Sequence, residues 1–120
     1  MAVSLTFPAT TENVRLARLV TAALAAQGGF SVDQVDDLRI AVDELCTLLV
    51  ANASPEAEVA MRFELDDQCL RLEAETLTSA EHDVYSTDEL TAHILIATVD
   101  RHDIRSDGSS LRVSLEKQRV

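Results

Sequence analysis

The two cysteines and three histidines of this chain could bind a metal such as zinc, and the cysteines could also form a disulfide. Cys46 lies in a predicted helix and Cys69 opens a predicted strand, and their spacing matches no metal-binding motif. The histidines His82, His93 and His102 are scattered too widely along the chain to form a ligand set. We therefore assign no metal site, and we expect both cysteines to be reduced residues of the core.

One predicted helix, residues 32–53, carries a carboxylate and an amide that could act on a ligand, Glu44 and Asn52. Ser31 and Gln34 have the spacing of a capping box, which predicts where this helix begins. Its apolar residues recur at intervals of three and four and form one stripe, made of Val35, Leu38, Val42, Leu45 and Leu49. A glutamate on an amphipathic helix is usually just solvated, so Glu44 alone indicates no function.

The run from Ala41 to Thr47, Ala-Val-Asp-Glu-Leu-Cys-Thr, resembles the second helix of the anti-sigma-factor serine kinases of the RsbW type. Their ATP-binding fold is shared with histidine kinases and gyrase. Sequence similarity to this family extends from about Val3 to Lys117. The resemblance is closest to the shorter actinobacterial anti-sigma factors. It implies a single histidine-kinase-like ATPase domain over residues 1–120 and a role in a stress response.

The resemblance also implies a nucleotide site with several residues replaced. In the family, a helix glutamate is the general base, an asparagine four residues later holds magnesium, and an aspartate at a strand end recognises adenine. Glu44 matches the glutamate, but Leu48 occupies the asparagine position, and strand alignment places Thr76 near the aspartate position. Asn52 would carry its amide about 6 Å farther along the helix axis.

The lid that covers the phosphates in the family contains glycine, whereas no glycine occurs here between Gly29 and Gly108. We therefore expect a lid reduced to residues 76–85 and a degenerate site that holds no cofactor. The alternative is a site for ATP with magnesium. In that case Thr76 and Asn52 are the candidate cofactor-binding residues, and Glu44 is catalytic only if the kinase is active.

Members of this family also sequester a sigma factor by direct protein contact and release it to an anti-anti-sigma antagonist. In the relatives an arginine of the first helix contacts both proteins, and Arg18 matches that position, with Arg15 one turn earlier as a second candidate. Arginine suits shared recognition because it has five donors in a rigid fork. The alternative is a surface arginine that only supports its helix.

Relatives form dimers through the sheet edge near the first strand, so we expect a homodimer by resemblance.

Charge and hydropathy exclude several other classes of function. The net charge of −11 argues against direct binding to nucleic acid, which depends on basic side chains that displace counterions. Apolar runs such as residues 48–51 are too short to cross a bilayer, and no export signal is present, so we expect a cytoplasmic protein. Eleven of the 21 acidic residues lie between Ser54 and Glu89, which indicates either a solvated face or an acidic surface for a basic partner.

The order of predicted elements is strand, helix, helix, strand, strand, helix, strand, strand. The first helix is expected over residues 11–27, ended by Gly28-Gly29, and the last hairpin turns at Asp107-Gly108. A second capping box, Ser86 with Glu89, is expected to begin the third helix. This order favours an α+β fold, a two-layer sandwich with three helices on one face of a mixed, mostly antiparallel five-stranded sheet.

Two functions from different classes follow. The first is an anti-sigma factor that binds a sigma factor directly and is released by an anti-anti-sigma factor, with the ATP site degenerate. The second is an active ATP-dependent serine kinase that phosphorylates this antagonist through Glu44. A non-catalytic scaffold for another regulator is a third reading, which only an identified partner separates from the first.

Overall fold

A computed structural model describes residues 1–79 and 89–119 of the chain. The elements of this part are β1 (Ala2–Pro8), α1 (Val14–Gln27), α2 (Val32–Asn52), β2 (Glu58–Leu65), β3 (Cys69–Leu77), α3 (Glu89–Thr98), β4 (Arg101–Ser106) and β5 (Ser110–Gln118). The predicted order of strands and helices is confirmed. The first helix differs in detail, because residues 11–13 form a 3-10 turn before α1 begins.

The strands form one sheet in the order β1-β2-β3-β5-β4, and every pairing among the described strands is antiparallel. Buried and exposed residues alternate along β2 and β3, as expected for a sheet that is covered on one face only. Phe63, Leu72 and Leu115 stand opposite one another on neighbouring strands of the covered face. The predicted two-layer α+β fold is therefore confirmed.

The connection between α1 and α2 has the local geometry that its sequence predicts. The amide of Gly29 donates to the carbonyl of Ala26, and that of Phe30 donates to Ala25; these two bonds form a Schellman motif. Gly29 has a φ of +80°, which a residue with a side chain adopts only with strain. At the start of α2, the predicted capping box between Ser31 and Gln34 is present in both directions.

Helix α2 supplies the side of the core that faces the sheet. Leu38, Val42 and Leu49 are completely buried, and Leu45 is 1% exposed. These are four of the five residues of the predicted stripe, and the fifth, Val35, packs partly buried against the same core. Burying an aliphatic side chain contributes about 1.5–3 kcal/mol each, so this stripe is a large source of stability.

Polar contacts hold α3 against the rest of the domain. The ammonium group of Lys117 on β5 donates to the carbonyl of Thr98 at 2.7 Å, at the last turn of α3, and also contacts Asp37 of α2 at 3.4 Å. Lys117 is the only lysine of the chain, and its side chain is 13% exposed. A cation at this end of α3 interacts favourably with the helix dipole.

Part of the predicted lid lies outside the described residues. Thr76 and Leu77 end β3, and Thr78 forms an isolated bridge with Ala53, but residues 80–85 are not described. The predicted capping residue Ser86 and the histidine His82 are also outside the described residues. In the part of the chain that is described, no helix has the length and apolar character needed to span a membrane.

Candidate functional site

Glu44 lies half-buried on the side of α2 that faces α3. Its Oε2 accepts a hydrogen bond from the Thr91 hydroxyl of α3 at 3.1 Å. The carboxylate therefore links two helices, which neither the catalytic interpretation nor the solvated one foresaw. The contact with α3 therefore sets the orientation of this carboxylate.

Leu48, one turn after Glu44, contributes to packing. Its side chain is partly buried and contacts the core cluster. An aliphatic side chain offers no oxygen, and magnesium is bound in proteins through oxygen ligands. The position that the resemblance assigns to a metal ligand is therefore part of the hydrophobic layer of α2.

Asn52 and Thr76 lie at the same end of the molecule, and their side chains bond to nearby backbone. The amide nitrogen of Asn52 donates to the carbonyl of Leu48 at 2.8 Å, and the Thr76 hydroxyl donates to the carbonyl of Glu58 at 2.9 Å. The amide of Ser54 donates to the carbonyl of Leu77, which fixes the end of α2 beside the end of β3. Within residues 1–79 and 89–119, no three His, Cys, Asp or Glu side chains are grouped so as to hold a metal ion.

Arg18 lies on a different surface from these residues. Its Nε approaches Oδ1 of Asp43 at 3.6 Å across the α1–α2 contact, and the two side chains are 44% and 47% exposed. Arg15, one turn earlier on α1, is exposed and has no ion-pair partner among the described residues. The two arginine candidates thus share a helix, but only Arg18 is held by an acid.

The thiol of Cys46 lies under this ion pair and is 1% exposed. Burial, with a further contribution from the Asp43 carboxylate, raises the pKa of Cys46 to about 12, against a smaller lowering by Arg18. A thiol with such a pKa stays protonated near neutral pH and is a poor nucleophile. Cys46 is a buried core residue with a free thiol, as predicted.

Sequence reasoning singled out neither Thr91 nor Asp43. Asp43 immediately precedes Glu44, and since successive helical residues are 100° apart, the two acids contact different neighbours, α1 and α3. No periodicity in the sequence indicates which helix lies on which side. To predict these pairings, one would have to know how all three helices pack against one another.

Comparison with known proteins identifies the family to which this architecture belongs. Residues 7–96 match the family model described as a histidine kinase-like ATPase domain. The chain is a member of this family. The anti-sigma-F factor RsbW of Mycobacterium tuberculosis is 33% identical over 108 residues, which make up 89% of this chain and 63% of that protein. The serine-protein kinase RsbW of Bacillus subtilis is 34% identical over 85 residues, or 68% of this chain and 51% of that protein.

This histidine kinase-like ATPase domain therefore spans between one half and two thirds of the length of these relatives. Among solved structures, it is similar to the crystal structure of the RsbU and RsbW domains of Rv1364c from Mycobacterium tuberculosis, with a TM-score of 0.77. The match covers 98% of this chain and 32% of that chain, at 15% identity. At this identity, the likeness supports the fold alone.

The contact between Glu44 and Thr91 predicts that the Glu44 carboxylate contributes to the stability of the fold, whereas a fully solvated carboxylate would not. We expect Glu44→Ala to lower the free energy of unfolding by about 1–2 kcal/mol, because it removes a partly buried hydrogen bond to a charged group. Glu44→Gln keeps an acceptor oxygen and should lose less. Urea unfolding of these variants, with Thr91→Val to complete a double-mutant cycle, measures the coupling. Equal stability of all the variants and the wild type would show that the contact contributes nothing.

The raised pKa of Cys46 predicts a loss of stability at alkaline pH. The unfolded thiol ionises above about pH 9, whereas the folded thiol keeps its proton up to about pH 12. Its contribution is therefore fully present below pH 9 and decreases above it by about 1.4 kcal/mol per pH unit. Urea unfolding at pH 7 and pH 10 should show a larger loss in the wild type than in Cys46→Ala, which keeps only the contribution of Cys69, whose pKa is also raised by burial. The same pH dependence in both proteins would contradict the assignment.

Proposed function

We propose that this domain is an anti-sigma factor that binds a sigma factor directly and is released by an anti-anti-sigma factor. The relatives named above, an anti-sigma-F factor and a serine-protein kinase, support this proposal. We further propose that its ATP site is degenerate, so that capture of the partner needs no nucleotide. The cytoplasm and a stress response are the setting that we infer for it.

We infer a degenerate site because the side chains at the expected ligand positions make contacts within the protein instead. Leu48 packs against the core, the Asn52 amide bonds to the backbone of its own helix, and the Thr76 hydroxyl bonds to the neighbouring strand. These groups do not fit a magnesium nucleotide, because no oxygen ligand is available at position 48 and the amide at position 52 is one turn away. We therefore assign no catalytic step to this site.

The surface of α1 supports a role in protein binding. This helix carries Arg15 and Arg18 and no acidic residue, although the chain as a whole has a net charge of −11. Its exposed side also includes Leu19, which is 64% exposed, and Leu16, which is 37% exposed. Arginine is enriched at protein interfaces, and the fully buried centre of an interface is more apolar than the rest of the surface. We infer that this face of α1 contacts an acidic, partly apolar surface of the sigma factor.

A capture experiment tests this function. We expect the immobilised chain to retain one sigma factor of its source organism in buffer without nucleotide, and Arg18→Glu to weaken this binding at least ten-fold. Arg62→Glu is the matched control, because it makes the same charge change on an exposed arginine of β2, which lies on the sheet face not covered by the helices. Circular dichroism of both variants checks the fold. If the wild type retains none of the organism's sigma factors, the proposal fails.

The alternative function is a serine kinase that phosphorylates the antagonist, and one observation favours it: Glu44 retains the family's acid. Titration calorimetry with magnesium ATP at millimolar concentration distinguishes the two. The degenerate site predicts no saturable heat and no transfer of phosphate to a captured antagonist. Saturable binding accompanied by phosphorylation that Glu44→Gln abolishes would replace the first function with the second.

We also propose a homodimer formed through the free edge of β1, where Val3 and Leu5 are partly buried on the core side. In the described part of the chain, β1 pairs only with β2, so its other edge is open to a second strand. Sedimentation velocity should give a dimer mass that Thr6→Pro reduces to that of a monomer, since proline removes a strand donor. A monomeric wild type at micromolar concentration would exclude this dimer.

A further inference from the structure

We propose that Asp43 is a positioning residue, which orients the guanidinium of Arg18 for a carboxylate of the partner. This inference rests on the proposed function, because it specifies how the α1 surface recognises an acidic partner. The two residues come from different helices, so their juxtaposition depends on the packing of α1 against α2. Nothing in the spacing of the sequence links them.

The geometry of the pair leaves the donors of Arg18 available. Its shortest distance, 3.6 Å between Nε and Oδ1, is longer than a normal N–H···O hydrogen bond. No residue in the described part of the chain accepts a hydrogen bond from Arg18. Asp43 therefore attracts the guanidinium through its charge while the donors stay free for a carboxylate, which arginine binds in a bidentate fashion.

Holding Arg18 in place reduces the cost of binding. An arginine that moves freely loses rotamer entropy when a partner fixes it, and restoring that freedom weakens affinity by roughly two- to five-fold, the limit that an exposed ion pair allows. Arg15 provides the internal comparison, because it lies on the same helix, is exposed, and has no ion-pair partner among the described residues. The inference predicts that Arg18 is the more ordered of the two.

The negative charge of Asp43 has a second effect, since it repels an incoming carboxylate. This repulsion acts mainly on association, whereas orientation acts mainly on the lifetime of the complex. Asp36 allows the two effects to be separated. It lies on the exposed side of the same helix and forms a similar ion pair with Arg39, at 3.8 Å, so Asp36→Asn removes the same charge without touching Arg18.

The first arm of the test needs no partner. Nitrogen-15 relaxation of the arginine Nε–H groups in the free protein, with Arg18 assigned through Arg18→Lys, reports the order of each side chain. We expect Arg18 to be more ordered than Arg15 in the wild type and in Asp36→Asn, and to become as mobile as Arg15 in Asp43→Asn. Asp43→Glu keeps the charge and should restore the order. Equal mobility of Arg18 and Arg15 in the wild type would overturn the inference, whatever the protein binds.

The second arm uses the sigma factor retained by the wild type in the capture experiment. Asp43→Asn should raise the dissociation rate roughly two- to five-fold, while Asp36→Asn leaves it unchanged. Both variants should change the association rate in the same direction. In the Arg18→Ala background, Asp43→Asn should have no further effect on dissociation. If the wild type binds a sigma factor but Asp43→Asn dissociates at the wild-type rate, the positioning role is wrong and the proposed function stands. If no sigma factor binds, the proposed function fails, and the relaxation arm alone judges the ion pair.

Discussion

The burial of one side of α2 against the sheet is the constraint on which the rest of the structure depends. Four side chains of its stripe are at most 1% exposed, and together they contribute roughly 6–12 kcal/mol before the entropy of ordering is counted. An exposed ion pair such as that of Arg18 with Asp43 contributes about 0–1 kcal/mol. The hydrophobic contact therefore sets the rotation of α2 about its axis, and the polar pairs form where that rotation places them.

This rotation explains why two adjacent acids have unrelated surroundings. Asp43 contacts α1 and Glu44 contacts α3, because a helix turns by 100° at each residue and α2 is flanked on both sides. Leu48, one turn after Glu44, extends the apolar side on the flank nearer α3. A leucine there favours packing over solvation, so the helix gains a contact with the core at the position where a ligand for magnesium would need an oxygen.

Features that depend on neighbouring residues could be predicted from the sequence, whereas those that depend on the packing of helices could not. The capping box of Ser31 and Gln34 and the end of α1 at Gly28-Gly29 are set by local hydrogen bonds and by the backbone freedom of glycine. The strands follow from alternation, and the stripe of α2 follows from its period. The bonds from Asn52 and Thr76 to nearby backbone, and the contact of Glu44 with Thr91, also required the axial positions and rotations of the elements, which periodicity does not determine.

The surface around Arg18 is separate from the site that the family pattern implies for a nucleotide. Arg18 and Asp43 lie at the contact of α1 with α2, and the site implied by the family pattern lies toward α3 and the ends of α2 and β3. Substitutions at positions 48 and 76 therefore alter groups that do not touch Arg18 or Asp43. The surface of α1 keeps its two arginines and its lack of acids in a chain that is otherwise strongly acidic. We propose that recognition of an acidic partner depends on that surface, which places no requirement on the residues that would hold a nucleotide.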